Sequence, residues 1–321
     1  MAKCERKHKA CSITNAPLPT RAIDVGSADS DTLRLVETAG QTSKYVALSH
    51  CWGKCRAFLT TRANLNDRKR GFRMADLPGT FRDAVRVVRS LGIRYVWIDS
   101  VCILQGDVDD WEIESAKMAG VYENATLVIA AANAADDGEG FLKERKRQYM
   151  PTSDPYPPLH NRAWTLQERY LSIRIIFFYS LNLQWECKQA VWHELGRDNV
   201  RNNRLVQEII PQPLENGGLS YCGWYKMVQD YTSRAITYET DKLPALSALA
   251  ARVAQESKDT YLAGIWKGDL LRGLLWYREV RRRFRAQESS LPFSNTGEKP
   301  QRKVFIAPSW SWASFPGAVG Y

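Results

Sequence analysis

Several things are missing from this chain of 321 residues, and each absence narrows what it does. No apolar run approaches the roughly 20 residues that a membrane-spanning helix needs. The opening, Met1 to His8, has no apolar stretch of the secretory kind, so the expected compartment is the cytoplasm. Neither common type of Gly-rich phosphate loop is present. There is no internal repeat and no low-complexity tract. The seven cysteines (4, 11, 51, 55, 102, 187 and 222) are odd in number. Several sit inside apolar strand patterns, which fits free thiols in a reducing compartment better than a disulfide framework. A net charge of +10 comes without any long Lys/Arg run, so it reads as a basic surface able to attract phosphate-bearing small molecules. Neither a nucleic-acid nor a membrane partner is expected.

What is present belongs to a globular protein. Hydrophobic residues make up 44% and charged residues 25%, and this length buries a large core. Eleven Trp residues point to that core or to aromatic-lined crevices. Segment 1–43 is polar and irregular, with an edge hairpin expected from Leu18–Val25 and Leu33–Val36. Tyr45–Ser49 reads as a buried strand. Asn64–Gly79 reads as a loop with one helical turn. Apolar residues at helical spacing predict a helix over 80–91, with Thr80 as N-cap and Gly92 as its stop. A strand over 94–99, a helix over 110–122 and a strand over 125–131 follow, then an aperiodic inserted loop over 134–160. A short helix over 161–170 precedes strands 174–179 and 183–187. This alternation predicts an α/β fold with a doubly wound, mostly parallel sheet. Three regions are expected: 1–43, a core over 44–195, and a helical and extended C-terminal extension over 196–321 packed on the core. Within the extension, helices are expected over 224–233, 242–256 and 269–285.

The candidate chemistry lies where such sheets bind ligands, at the carboxyl ends of their strands. Asp99 closes an apolar strand; it can bind a ribose hydroxyl, hold a base, or merely cap the following loop. Trp164 and Glu168 are four residues apart and share a helix face. A Glu partly desolvated by a Trp ring has a raised pKa, as suits a reacting carboxylate; the plainer reading is a surface salt bridge. Arg162, Arg169 and Arg174 supply positive charge for phosphates. Glu112 and Glu114 sit near the start of helix 110–122, where Asp109 or Asp110 is the expected N-cap and acids favour the helix dipole; Glu114 is a secondary site candidate. Cys51 beside His50 does not make a Cys–His pair, because strand neighbours point to opposite faces. Cys4, His8 and Cys11 are three soft ligands, and zinc would want a fourth, from Cys51 or Cys55. The spacing matches no standard finger, and no metal is expected.

The words of the sequence resemble the fungal heterokaryon-incompatibility (HET) domain in several places and in order. These are Tyr45–Gly53, with its Ser-His-Cys-Trp-Gly ending; Leu77–Ala84; Leu91–Ile103, with Trp97-Ile98-Asp99; Asp110-Trp111 with Met118 and Tyr122; and Arg162–Glu168. Tyr231–Arg234, Asp241–Leu243, Tyr261–Trp266 and Ala307–Ser314 resemble the usual extension of these proteins. His50 stands where Tyr is common. The resemblance implies a role in non-self recognition that triggers cell death. The family is also distantly similar to TIR domains, which implies a TIR-like or flavodoxin-like core. By position, Glu168 matches the Glu of the NAD-cleaving site in enzymatic TIR domains. On that resemblance Glu168 and Asp99 are the catalytic candidates, and Ser49, Trp52, Gly53, Arg162, Trp164 and Glu114 the substrate-binding ones. NAD or a related nucleotide is the expected substrate, no cofactor is required, and a homo-oligomer is compatible. The alternatives are a non-enzymatic death-signalling module that works by assembly, or a relative recruited to small-molecule biosynthesis.

Overall fold

The computed structural model describes residues 1–12, 16–27, 29–53, 58–145, 157–194, 205–215, 218–279 and 305–321. The chain divides into two compact units, Met1–Gln207 and Glu208–Tyr321. Among the described residues no helix is long and apolar enough to cross a membrane.

The first unit is α/β, built on a nine-stranded mixed sheet. Its strands are β1 (Arg21–Asp24), β2 (Thr32–Glu37), β3 (Tyr45–Ser49), β4 (Phe72–Arg73), β5 (Tyr95–Trp97), β6 (Leu127–Ala130), β7 (Arg174–Phe178), β8 (Leu183–Cys187) and β9 (Val191–His193). They run in the order β4-β2-β1-β5-β3-β6-β7-β8-β9. The four central strands β5, β3, β6 and β7 are mutually parallel, and antiparallel pairings extend the sheet on both sides. All residues of β3 and β6 are buried. Central parallel strands are covered on both faces, so they read as continuous apolar runs rather than as alternations.

The helices of this unit are α1 (Ala2–Lys7), α2 (Leu65–Arg70), α3 (Gly79–Ser90), α4 (Asp99–Cys102), α5 (Val108–Asn124) and α6 (Trp164–Leu171). Three details differ from the sequence reading. The expected hairpin of segment 1–43 is real, but β1 lies inside the sheet, between β2 and β5. The N-cap of α5 is Asp107, whose side chain accepts from the Asp110 backbone N–H. Asp110 instead takes the Arg21 guanidinium at 2.6 Å, while Asp107 pairs with Arg62 as well as capping the helix. The loop after β6 is not featureless: Asp83 on α3 accepts from the backbone N–H groups of Phe141 and Leu142 at 2.9 and 3.0 Å and so pins it.

The second unit contains helices Cys222–Thr232 and Ser247–Ser257 and an aromatic core. Trp224, Trp266 and Trp312 are fully buried, and Trp224 meets Trp266 edge-on at 5.2 Å. The long helix expected over 269–285 is instead a short one, Leu270–Gly273, followed by the strand Tyr277–Arg278, which pairs with Val319–Gly320. Its last residue, Gly273, packs closely: a Cβ there would stand 3.0 Å from Ile265 Cβ. Residues 280–285 of that expected helix lie outside the described residues.

Candidate functional site

Three neighbouring parallel strands end together and deliver the candidate site. Past β3, the chain makes the turn His50-Cys51-Trp52-Gly53. Gly53 has φ +63°, and a Cβ there would lie 2.0 Å from Asp136 Cβ. Only glycine fits, because the turn after β3 touches the turn after β6 backbone to side chain. Gly79, which opens α3, is close-packed in the same way: its Cβ would stand 2.4 Å from the Gly138 carbonyl oxygen. The Thr80 backbone N–H then donates to the Asp137 carbonyl at 2.9 Å. The glycines of two quoted words, Tyr45–Gly53 and Leu77–Ala84, thus bring the post-β3 and post-β6 turns into register.

The side chains gathered there are charged and buried. His50 is 1% exposed, stacks edge-on against Phe81 at 5.1 Å, and has Nε2 3.1 Å from Asp137 Oδ1 and 3.8 Å from Asp99 Oδ1. Asp99, two residues beyond the end of β5, accepts the Trp52 indole N–H at 2.8 Å and the Ser100 backbone N–H at 2.7 Å. It is the first residue of α4, whose N-cap is Ile98, and it faces His50. Arg162 donates to the His50 carbonyl. Glu168 on α6 is buried, and its Oε2 has no hydrogen-bond partner.

Electrostatics ties these groups together. Burial pushes the Glu168 carboxyl above its usual range; the Arg162 charge and the Ser49 hydroxyl pull it back, and the Asp99 charge adds to the rise. Asp137 is also raised, first by burial, with His50 opposing. Burial pushes the Cys51 thiol up to about 11 against the pull of Arg162, with Glu168 and Asp137 adding to the rise. A buried thiol held protonated is not a nucleophile. Three carboxyl groups thus share one guanidinium and one imidazole in a low-dielectric pocket, where ionised groups are costly. Such a cluster can hold or release protons and can stabilise positive charge developing in a substrate.

Among the residues singled out from sequence, Ser49, Trp52, Gly53, Asp99, Arg162 and Glu168 lie in this cluster. Trp164 is half-buried at the start of α6; the rise at Glu168 comes from burial, not specifically from that ring. Glu114 is engaged elsewhere: its carboxylate accepts from Thr20 at 2.8 Å and from Lys117 at 2.9 Å. Arg169 and Arg174 are likewise taken up, by Glu186 and by backbone carbonyls. Sequence reasoning set His50 aside and missed Asp137. Asp137 lies in the stretch dismissed as aperiodic, yet an acidic, glycine-flanked turn straight after a buried strand is a usable signal.

A buried ionisable cluster at the carboxyl ends of parallel strands defines an α/β domain with a ligand-type site. Residues 45–157 match the family model described as "Heterokaryon incompatibility protein (HET)". The chain therefore carries a HET domain over these residues, and a role in heterokaryon incompatibility and cell death is what that family suggests. No curated protein and no solved structure matches the chain.

Proposed function

We propose that the chain executes an incompatibility or cell-death response by hydrolysing the N-glycosidic bond of NAD, with Glu168 as the catalytic carboxylate. The observation that carries this reading is the Glu168 carboxyl group: buried, one oxygen unpaired, and grouped with Arg162, Asp99 and His50 at the strand ends. Nicotinamide leaves NAD as a neutral molecule, taking the electron pair of the C–N bond, so no general acid is needed. The ribosyl carbon gains oxocarbenium character, which an ionised, poorly solvated carboxylate stabilises. Water then forms the new C–O bond and gives up a proton, which a carboxylate of the cluster accepts. Products are nicotinamide, ADP-ribose and a proton. Arg162 supplies charge for the pyrophosphate, and Asp99 a ribose-hydroxyl acceptor. Since the ionised form of Glu168 acts, release should rise with pH through a value above the ordinary glutamate range.

The test is to incubate the purified chain with NAD, both dilute and at assembling concentrations, and to follow nicotinamide by chromatography. Release by the wild type, cut at least about 100-fold in Glu168→Gln, supports the reading. Equal rates in the two proteins, or no release in either state, ends it.

A second reading, action by assembly without catalysis, is favoured by one observation. Leu271 and Leu275 are 84% and 73% exposed beside exposed Leu270 and Leu274, an apolar strip of the kind that marks interaction surfaces. The biosynthetic reading calls for Trp residues lining a cavity, whereas Trp224, Trp266 and Trp312 pack as core.

A further inference from the structure

We propose that Cys4, His8, Cys11 and Cys187 form a tetrahedral zinc site that clips the N-terminal segment to strand β8. The four ligand atoms all lie within 4.8 Å of one another. His8 Nδ1 stands 3.3 Å from Cys187 Sγ. Zinc bound at about 2.3 Å to sulfur and about 2.0–2.1 Å to nitrogen requires donors about 3.5–3.8 Å apart, so a small rearrangement closes the site. Cys4, Cys11 and Cys187 are each at most 2% exposed.

The local architecture serves this convergence. Cys4 lies in α1, and the chain then turns through His8 into the 3-10 turn Lys9–Cys11, with the His8 and Cys11 backbone N–H groups donating to the Cys4 and His8 carbonyls. That compact double turn presents three donors from eight residues, and β8 supplies the fourth. The sequence reading expected no metal because the spacing matches no standard finger, and it looked for a fourth donor at Cys51 or Cys55. Cys51 lies in the acidic cluster instead, and Cys55 falls outside the described residues.

The surroundings fit a metal better than a patch of apolar thiols. Three thiolates and a neutral imidazole around Zn²⁺ carry a net charge of −1. The buried guanidinium of Arg174 stands beside them, donating to the Cys11 carbonyl and, at 3.1 Å, to the Thr126 carbonyl. Arg174 is 1% exposed and has no carboxylate partner among the described ion pairs. A buried cation facing three neutral thiols is costly; one facing a zinc–thiolate centre is neutralised. The His8 ring stacks on Trp192 at 5.5 Å and 12°, which fixes its orientation. Ile173, Trp185 and Trp192 pack around the thiols and keep water off the metal–sulfur bonds. Binding exchanges three thiol protons for the ion.

The experiment measures metal in the full chain purified under reducing conditions without chelator. One zinc per chain by elemental analysis is expected. Replacement by Co²⁺ should give tetrahedral d–d bands together with a sulfur-to-metal charge-transfer band. Cys187→Ser should lose the metal at least 100-fold more readily to a competing chelator. His8→Cys, which keeps four donors, should retain the metal, and Cys51→Ser should leave the stoichiometry at one. A chain with well under one metal that chelators strip without lowering its unfolding temperature overturns the proposal. So does wild-type retention in Cys187→Ser, or a disulfide among Cys4, Cys11 and Cys187 under the same conditions. These readouts do not depend on NAD cleavage, so the site stands or falls separately from the proposed activity.

Discussion

The two ends of one sheet carry opposite solutions to burying polar groups. At the carboxyl ends of β3, β5 and β6, buried His50, Asp99, Asp137 and Glu168 gather with the half-buried Arg162, acidic groups outnumbering basic ones, and Glu168 keeps an oxygen unpaired. β8 runs antiparallel to β7, and its Cys187 pairs with Arg174 at the start of β7. The thiol cluster therefore sits at the opposite, amino end of the parallel strands. There the donors face one another closely enough for a single cation to satisfy them all. The first end holds its charges in a costly arrangement that a substrate could relieve. The second has the means to become a stabilising clamp. Sites for chemistry are drawn from the strained end of a structure, and clips from the end where strain can be removed.

That contrast can be broken at several points. The largest effect is expected on catalysis: Glu168→Gln should slow nicotinamide release at least about 100-fold, worth about 2.7–4 kcal/mol of barrier. At the other end, Cys187→Ser should lower stability by about 2–4 kcal/mol in denaturant titration. The nicotinamide released per folded molecule should be unchanged; a parallel loss would show that the two ends are coupled. Gly53→Ala forces a left-handed backbone on alanine and drives its Cβ onto Asp136. A cost of about 1–3 kcal/mol is expected, together with lost activity, because the turn carrying Asp137 must shift. Asp83→Ala leaves the Phe141 and Leu142 amides without their acceptor and should cost about 1–2 kcal/mol. It should also increase amide exchange across residues 134–142.

The smallest effect has the opposite sign. The folded state holds the Glu168 proton more tightly than the unfolded chain does. Its contribution is therefore fully favourable below the ordinary glutamate value and is lost as pH rises through the raised one. Glu168→Gln should stabilise the chain by about 0.5–1 kcal/mol at neutral pH. That gain should vanish in titrations below the ordinary glutamate range. A loss of stability at neutral pH would mean that Glu168 is structurally satisfied.

Much of this was legible beforehand. Strands 127–130 and 174–178 were readable because buried strands are short, largely apolar runs, and 183–187 because its apolar and polar residues alternate. Asp99 was singled out because an acid closing an apolar run stands out, and Glu168 by its helical spacing from Trp164 and by the family resemblance. His50 was read but set aside, since adjacency to Cys51 was the only relation visible; its partners Asp137 and Asp99 are far away in the chain. Glu114 looked like a site acid and proved to be held by Thr20 and Lys117, a distant pairing that no periodicity reports. The helix expected over 269–285 gives way to a strand at Tyr277–Arg278, whose partner Val319–Gly320 lies far along the chain.

The sequence alone determined the central strands and the helices between them, and the acid that follows β5. These follow from short-range sterics and from the apolar pattern of each segment. Only the tertiary structure decided the antiparallel setting of β8, the meeting of His50 with Asp137, and the convergence of Cys187 on Cys4, His8 and Cys11. Contacts between residues far apart in the chain depend on how whole elements pack. Their energies are absent from any local window of sequence.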